Sequence, residues 1–161
     1  MKINVVNKST NPLPSYAKDG DAGMDVRADL SREVSDKFFD GAAYDEEREV
    51  IIIFSGGRCL VPTGISTSIP KGYEIQVRPR SGLALKNGVT VLNTPGTIDS
   101  GYRNEYGIIL INLSDEPFEI SHGDRIAQIV LNKVEEIEWN LVENLDESER
   151  GQTGFGDSGI K

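Results

Sequence analysis

Eight short runs rich in β-branched and aromatic residues, each closed by a turn signal, restrict this chain to few folds. They are INVVN (3–7), EVIIIF (49–54), GISTSI (64–69), YEIQVR (73–78), GVTVL (88–92), YGIILINL (106–113), PFEI (117–120) and RIAQIVLNKV (125–134). Turn residues separate them at Ser55-Gly56-Gly57, Pro70-Lys71-Gly72, Ser114-Asp115-Glu116-Pro117 and Ser121-His122-Gly123-Asp124. Such spacing predicts an all-β sandwich or barrel. A length of 161 residues fits one domain, and a chain of this size hides roughly 70% of its unfolded surface. Only two stretches read as helical. Residues 29–40 place Leu30, Val34 and Phe38 at i, i+4 and i+8, and residues 81–86 have room for one or two turns. There is no internal repeat.

Charge and cysteine content narrow the chemistry. The net charge is −9, which disfavours wrapping a nucleic-acid backbone but leaves room for one small phosphorylated ligand. Seven of the acids fall in residues 135–149 with no Lys or Arg between them, so the rest of the chain is close to neutral. That segment reads as solvated. Behind it, RGQTGFGDSGIK has four glycines in twelve residues and is expected to be loose unless a ligand or partner orders it. No apolar run approaches the ~20 residues of a membrane helix, and the N-terminus has no signal-peptide pattern. A single Cys, Cys59, makes no internal disulfide, which points to the cytoplasm. One His and one Cys leave no Cys/His zinc site and no His-dependent catalytic triad.

Five segments are dense in residues that do not build cores. Residues 21–28 (DAGMDVRA) set two acids among small residues, enough to help hold a divalent cation or simply to turn into a strand. Residues 78–82 (RPRSG) put Arg and Ser at a helix start. They read either as an anion site or as an ordinary helix capped by Ser81. Residues 93–106 (NTPGTIDSGYRNEY) shape a hairpin whose backbone can approach a ligand, with Asp99 and Tyr102 three apart. In residues 123–130 (GDRIAQIV), strand alternation sets Gln128 on an apolar face with Ile126 and Val130, where its amide needs partners. Asp124 and Arg125 read as structural ion-pair residues. Finally, residues 150–159 (RGQTGFGDSG) surround one aromatic ring with glycines beside Arg and Ser. Elsewhere, His122 reads as an exposed turn residue, Cys59 as a buried small apolar group, and Trp139 as packing in the core or between subunits.

In this order and spacing, the five segments resemble the trimeric dUTP diphosphatases (dUTPases). The most specific pieces are GTIDSGYRNEY (96–106) and PRSGLA (79–84), and the likeness runs from about Asp21 to Gly159 apart from residues 29–58. The resemblance implies a jelly-roll protomer over residues 1–139, with 29–58 as an inserted short helix and loop, and an acidic linker and mobile Gly-rich arm over 140–161. It implies a homotrimer with shared active sites. It implies hydrolysis of dUTP to dUMP and pyrophosphate with Mg2+, which keeps uracil out of DNA and supplies dUMP for thymidylate synthesis. Asp99 matches the carboxylate that activates the attacking water. Tyr102 matches the ring under the deoxyribose. Asn93, with the hairpin backbone at Gly96 and Ile98, matches the uracil-reading groups. Arg80, Ser81, Gly82 and Gln128 match phosphate contacts, and Asp25 matches the acid that orients the metal's water shell. In the arm, Arg150 matches a terminal-phosphate contact and Phe155 the ring stacked on uracil, with Gly156 and Ser158 beside them. Asp157 departs from the family's small hydroxyl residue and puts a negative charge near the expected triphosphate.

The chemistry is consistent with that assignment. In-line displacement at phosphorus needs a placed nucleophile and charge stabilisation more than covalent help, and a carboxylate base needs no tuning to be charged at pH 7. Two rivals remain on the sequence alone. A dCTP deaminase is a similar trimer that attacks the pyrimidine ring, and an interaction module would sense dUTP with slow turnover, a reading prompted by the insertion, Asp157 and the acidic 135–149 segment.

Overall fold

The computed structural model describes residues 1–148. Every expected run forms a strand, because each is rich in residues that suit a pleated, half-buried surface. They are β1 (Asn4–Asn7), β4 (Val50–Pro62), β5 (Ile65–Ser68), β6 (Tyr73–Arg78), β7 (Val89–Val91), β9 (Gly107–Asn112), β10 (Phe118–Ser121) and β11 (Arg125–Lys133). Three more strands join them: β2 (Gly23–Arg27), β3 (Asp40–Asp45) and β8 (Gly96–Ile98). One helix, α1 (Ser81–Asn87), connects β6 to β7 and ends at Gly88, whose φ of 65° closes it in the left-handed conformation.

The strands form three antiparallel sheets. One runs β10-β4-β9-β7 with β3 also on β4, a second runs β2-β11-β6-β8, and β1 pairs with β5. The first two sheets contribute to a single core, an all-β jelly-roll arrangement. In β9, Ile108, Leu110 and Asn112 point inward in strict alternation. Asn112 is fully buried, yet its amide donates to Ile53 O and Glu116 O and accepts from Ser114, so no polar atom is left unpaired. Among the described residues, no helix is long and apolar enough to cross a membrane.

Four sequence expectations are corrected. Residues 29–40 are not a helix. The start of the segment is tied to other parts of the fold, with Asp29 N donating to Pro62 O at 2.8 Å and Leu30 N to His122 Nδ1 at 3.0 Å. Leu30 is buried and Phe38 is 58% exposed, so the apparent stripe has no common face. The insertion therefore carries no helix; β3 and the start of β4 lie in it. Second, Ser55-Gly56-Gly57 does not end a strand but lies inside β4. Opposite it the pairing with β3 jumps from Ala42↔Ile53 to Asp40↔Arg58. Gly-Gly is as good a signal for an irregularity within a paired ribbon as for a turn. Third, β11 does not alternate simply. A register shift between Arg125 and Ala127 buries Ile126 and Ala127 together. Fourth, Trp139 is 87% exposed on the protomer, so it has no place in its core.

Asp29 shows how the insertion's root is fixed. Burial pushes its carboxyl up, but bonds from Ser31, Arg32 and Ser9 together outweigh that and hold it below the usual carboxylate range. His122, in its exposed turn, is more than a surface residue. Its Nδ1 accepts from Leu30 N and its Nε2 pairs with Thr10 Oγ1 at 2.9 Å. Cys59 is buried as expected, and burial pushes its thiol up to about 12. It is therefore inert to iodoacetamide at pH 8 in the native protein and modified on denaturation. Mass spectrometry of both states checks this, and stoichiometric native labelling would contradict it.

Candidate active site

The hairpin of residues 93–106 encloses a hollow of about 170 Å³. Asn93, Gly96, Ile98 and Tyr102 line it, with Tyr106 and Gly107. β8 supplies the wall. It pairs with β6 through Ile75↔Ile98 and Val77↔Gly96, and it is the end strand of its sheet. Its outer edge therefore offers backbone donors and acceptors to a ligand, as an edge strand does. Gly96 leaves room for the Asn93 side chain, since a Cβ there would lie 3.2 Å from Asn93 Nδ2. Tyr106, next to Gly107, is fully buried and shares a hydroxyl bond with Thr67. Burial pushes its hydroxyl above the usual tyrosine range, and the Thr67 bond offsets only part of that.

Tyr102 is 40% exposed, so one part of its ring is free to meet a ligand. Its hydroxyl donates to Glu105 O at 3.0 Å, and its backbone N–H donates to Asp99 O at 3.1 Å. Asp99 follows directly after β8 and is exposed. The hairpin thus holds a polar edge, an aromatic wall and an accessible carboxylate on consecutive backbone.

A second cluster forms where β2, β11 and α1 meet. Register places Gln128 opposite both Asp25 and Arg78, and Arg125 opposite Arg27. Asp25 Oδ1 meets Arg80 Nε at 2.9 Å, and its Oδ2 meets Arg125 Nη1 at 3.5 Å. Arg80 also donates to Arg125 O at 3.0 Å. The Gln128 amide donates to Pro79 O at 2.9 Å, so backbone satisfies it. Its other end lies over Gly23, where a Cβ would come within 2.6 Å of Gln128 Oε1. A hollow of about 490 Å³ opens beside this cluster, lined by Asp21, Asp25, Arg27, Arg125 and Gln128 and by the loop at residues 12–17.

Ser81 is not the helix cap. Arg80 holds that position with extended backbone and without a side-chain cap bond. Ser81 and Gly82 form the exposed first turn, where amide N–H groups have no helical acceptor. Asp124 and Arg125 do not pair with each other: Asp124 accepts from Ser121 N, and Arg125 joins Asp25. Arg125 is an ion-pair residue as expected, with Asp25 as its partner, and only the β2–β11 register brings the two together. Arg27, two residues after Asp25 on β2, also lines the hollow, a place the sequence reading did not assign it. Arg150, Phe155, Gly156, Asp157 and Ser158 lie outside the described residues.

Asp25 is suited to a hydrated cation and not to a protein cage. Among the described residues no three His, Cys, Asp or Glu gather as a ligand set. One carboxylate beside an anion-binding surface is how Mg2+ is commonly held, with water and phosphate completing its shell.

Three comparisons bear on this site. The dUTPase family model matches residues 42–159. The deoxyuridine 5'-triphosphate nucleotidohydrolase of Fusobacterium nucleatum is 48% identical over 159 residues, covering 99% of this chain and 97% of its own. That of Finegoldia magna is 48% identical, covering 99% of both. Among solved structures, the dUTPase of Staphylococcus bacteriophage 80alpha with dUpNHpp shares the fold. Its TM-score is 0.79 at 24% identity, covering 99% of each chain.

Proposed function

Because the chain belongs to the dUTPase family and hydrolyses dUTP to dUMP, we propose how its own residues divide that reaction. The observation that carries this reading is the hairpin hollow, where four residues matched to base and sugar recognition converge beside Asp99. Asn93 and the open edge of β8 read uracil. Cytosine reverses the donor–acceptor pattern and would leave buried groups unpaired, which discriminates strongly. The Tyr102 ring lies under the sugar and leaves no space for a 2′-hydroxyl. Asp99 takes the proton of the water that attacks the α-phosphorus. The P–O bond to the β-phosphate breaks, and pyrophosphate leaves with the electron pair.

Arg80, the first-turn amides of Ser81 and Gly82, and Gln128 hold the phosphates. Asp25 orients the hydration shell of Mg2+, which supplies charge neutralisation when bound. The pairs that Asp25 makes with Arg80 and Arg125 hold both guanidinium groups at this surface. Arg150 and Phe155, with Gly156 and Ser158, close over the bound nucleotide.

We further propose that the enzyme is a homotrimer whose sites are completed between copies. The hairpin hollow and the Asp25 hollow share no lining residue within one protomer. Ile137, Trp139, Leu141 and Leu145 are each more than 70% exposed, so an apolar strip awaits cover.

Product chromatography tests the assignment. Incubation with Mg2+ and dUTP, dTTP, dCTP or UTP separately is expected to yield dUMP and pyrophosphate from dUTP alone. Deoxyuridine products from dCTP would favour deamination, and tight dUTP binding without turnover would favour a binding module. Removing residues 150–161 is expected to lower turnover while melting temperature and assembly stay unchanged. Full activity after that deletion would overturn the roles of Arg150 and Phe155.

A further inference from the structure

The root of the insertion reaches the hairpin that carries Tyr102. Arg32 Nη2 meets Glu105 Oε1 at 2.9 Å and Oε2 at 3.0 Å, while its Nε meets Asp29 at 2.7 Å. Glu105 Oε1 also accepts from the backbone N–H groups of Thr63 at 3.0 Å and Gly64 at 2.8 Å. The Glu105 carboxylate is thus pinned to the corner between β4 and β5 and to Arg32 at once. That corner is tightly packed. Gly64 has a φ of +73°, and a Cβ there would fall 2.6 Å from Ser9 N and 2.9 Å from Asp29 Oδ2. Asp29 has no exposed side chain, so Arg32 is braced against a fixed anion.

The rest of the hairpin tip is tied only to itself among the described residues. Arg103 donates to Ser100 O and Tyr102 O, and Tyr102 N donates to Asp99 O. The Tyr102 hydroxyl ends on Glu105 O, the backbone of the pinned residue. That carbonyl shares its peptide with Tyr106 N, which donates to Ile65 O at 2.8 Å, so the ring's height over the hollow depends on how the Glu105–Tyr106 peptide is held, by Ile65 on one side and the Glu105 side chain on the other.

We propose that Arg32 and Glu105 are positioning residues for Tyr102. Their ion pair, braced by Asp29, fixes the ring at the distance that excludes a 2′-hydroxyl. The inference rests on the reading of Tyr102 as the wall under the sugar. Neither side chain touches the substrate; both act through the tyrosine's hydroxyl bond. A loosened anchor lets the ring retreat, which admits UTP and weakens the grip on dUTP.

The test measures kcat and KM for dUTP and UTP, with melting temperatures, in Arg32→Gln, Glu105→Gln, Arg32→Lys and Tyr102→Phe. Glu105→Gln keeps an oxygen acceptor for Thr63 and Gly64, so it preserves the fold while removing the charge. In both Gln variants, the dUTP-to-UTP ratio of kcat/KM is expected to fall about tenfold, the scale of one lost charged hydrogen bond. KM for dUTP rises more than its kcat falls. Arg32→Lys restores part of the ratio, because it keeps a cation near Glu105 without the two-way fork. Adding Arg32→Gln to Tyr102→Phe causes little further loss, since the hydroxyl tie is already gone.

An unchanged ratio in both Gln variants, whatever their melting temperatures, would overturn the proposal and leave the pair as a fold element. Full additivity of Arg32→Gln with Tyr102→Phe would overturn it too. Failure of the underlying reading has its own signature. Tyr102→Ala would then keep the wild-type ratio, and the proposal would fall with it.

Discussion

Asp99→Asn lowers dUTP turnover by at least about a hundredfold, the low end of what a lost general base costs, while dUTP affinity stays close to wild type. The substitution replaces one carboxylate oxygen by an amide and keeps size and shape. Asp99 is exposed at the end of β8, and its backbone carbonyl still accepts from Tyr102 N. The hollow is therefore preserved, and on the proposed division of roles what disappears is the proton acceptor beside the attacking water. The arginines and backbone donors proposed for the phosphates would continue to stabilise charge, so residual activity above the uncatalysed rate is expected. Single-turnover rates with equilibrium dUTP binding separate the two effects. Turnover near wild type would remove Asp99 from the role of base. A large loss of binding would make it a substrate contact instead.

Gly57→Ala produces the largest stability loss expected from adding a single methyl group. A Cβ at Gly57 would lie 1.9 Å from Gly41 O, 2.7 Å from Gly41 C and 3.0 Å from Phe54 O. All three are backbone atoms, so no side chain can swing aside. Gly41 is itself held at a φ of +64° and is no freer to move. The β3–β4 ribbon must part at this crossing, at a cost of about 2 kcal/mol or more. For a chain of this length that corresponds to roughly 4–8 °C in melting temperature. Gly56→Ala is the neighbouring control. Unlike Gly57, it requires the left-handed conformation, at φ +72°, but a Cβ there meets nothing within 4 Å, so it costs about 1 kcal/mol. Thermal melts of both variants, with amide exchange over residues 40–45, check the difference. Equal melting temperatures for the two would show that the crossing relaxes.

Strands with clear period-2 alternation were legible without the structure, and β9 is the plainest of them. Residues 29–40 misled because three apolar residues at helical spacing do not by themselves secure a common buried face. Leu30 is buried in the core while Phe38 is 58% exposed, so the three share no face that packing could cover. β8 is three residues long, too short for any periodicity, and it is paired because β6 lies alongside.

The site divides along the same line. Asn93, Gly96, Ile98, Asp99 and Tyr102 lie within ten residues, so one local hairpin brings them together, and a contiguous motif discloses them. The sequence by itself thus determined the β class, the hairpin's chemical inventory and, through the order of five motifs, the family. Tertiary structure alone decided that Asp25 faces Arg80 and Arg125, that Gln128 spends its amide on Pro79, and that Arg32 reaches Glu105. The physical reason is range. Turn chemistry and alternation are properties of neighbouring residues. Strand register and ion pairing across 73 residues of chain exist only once the sheets have packed and excluded the alternatives.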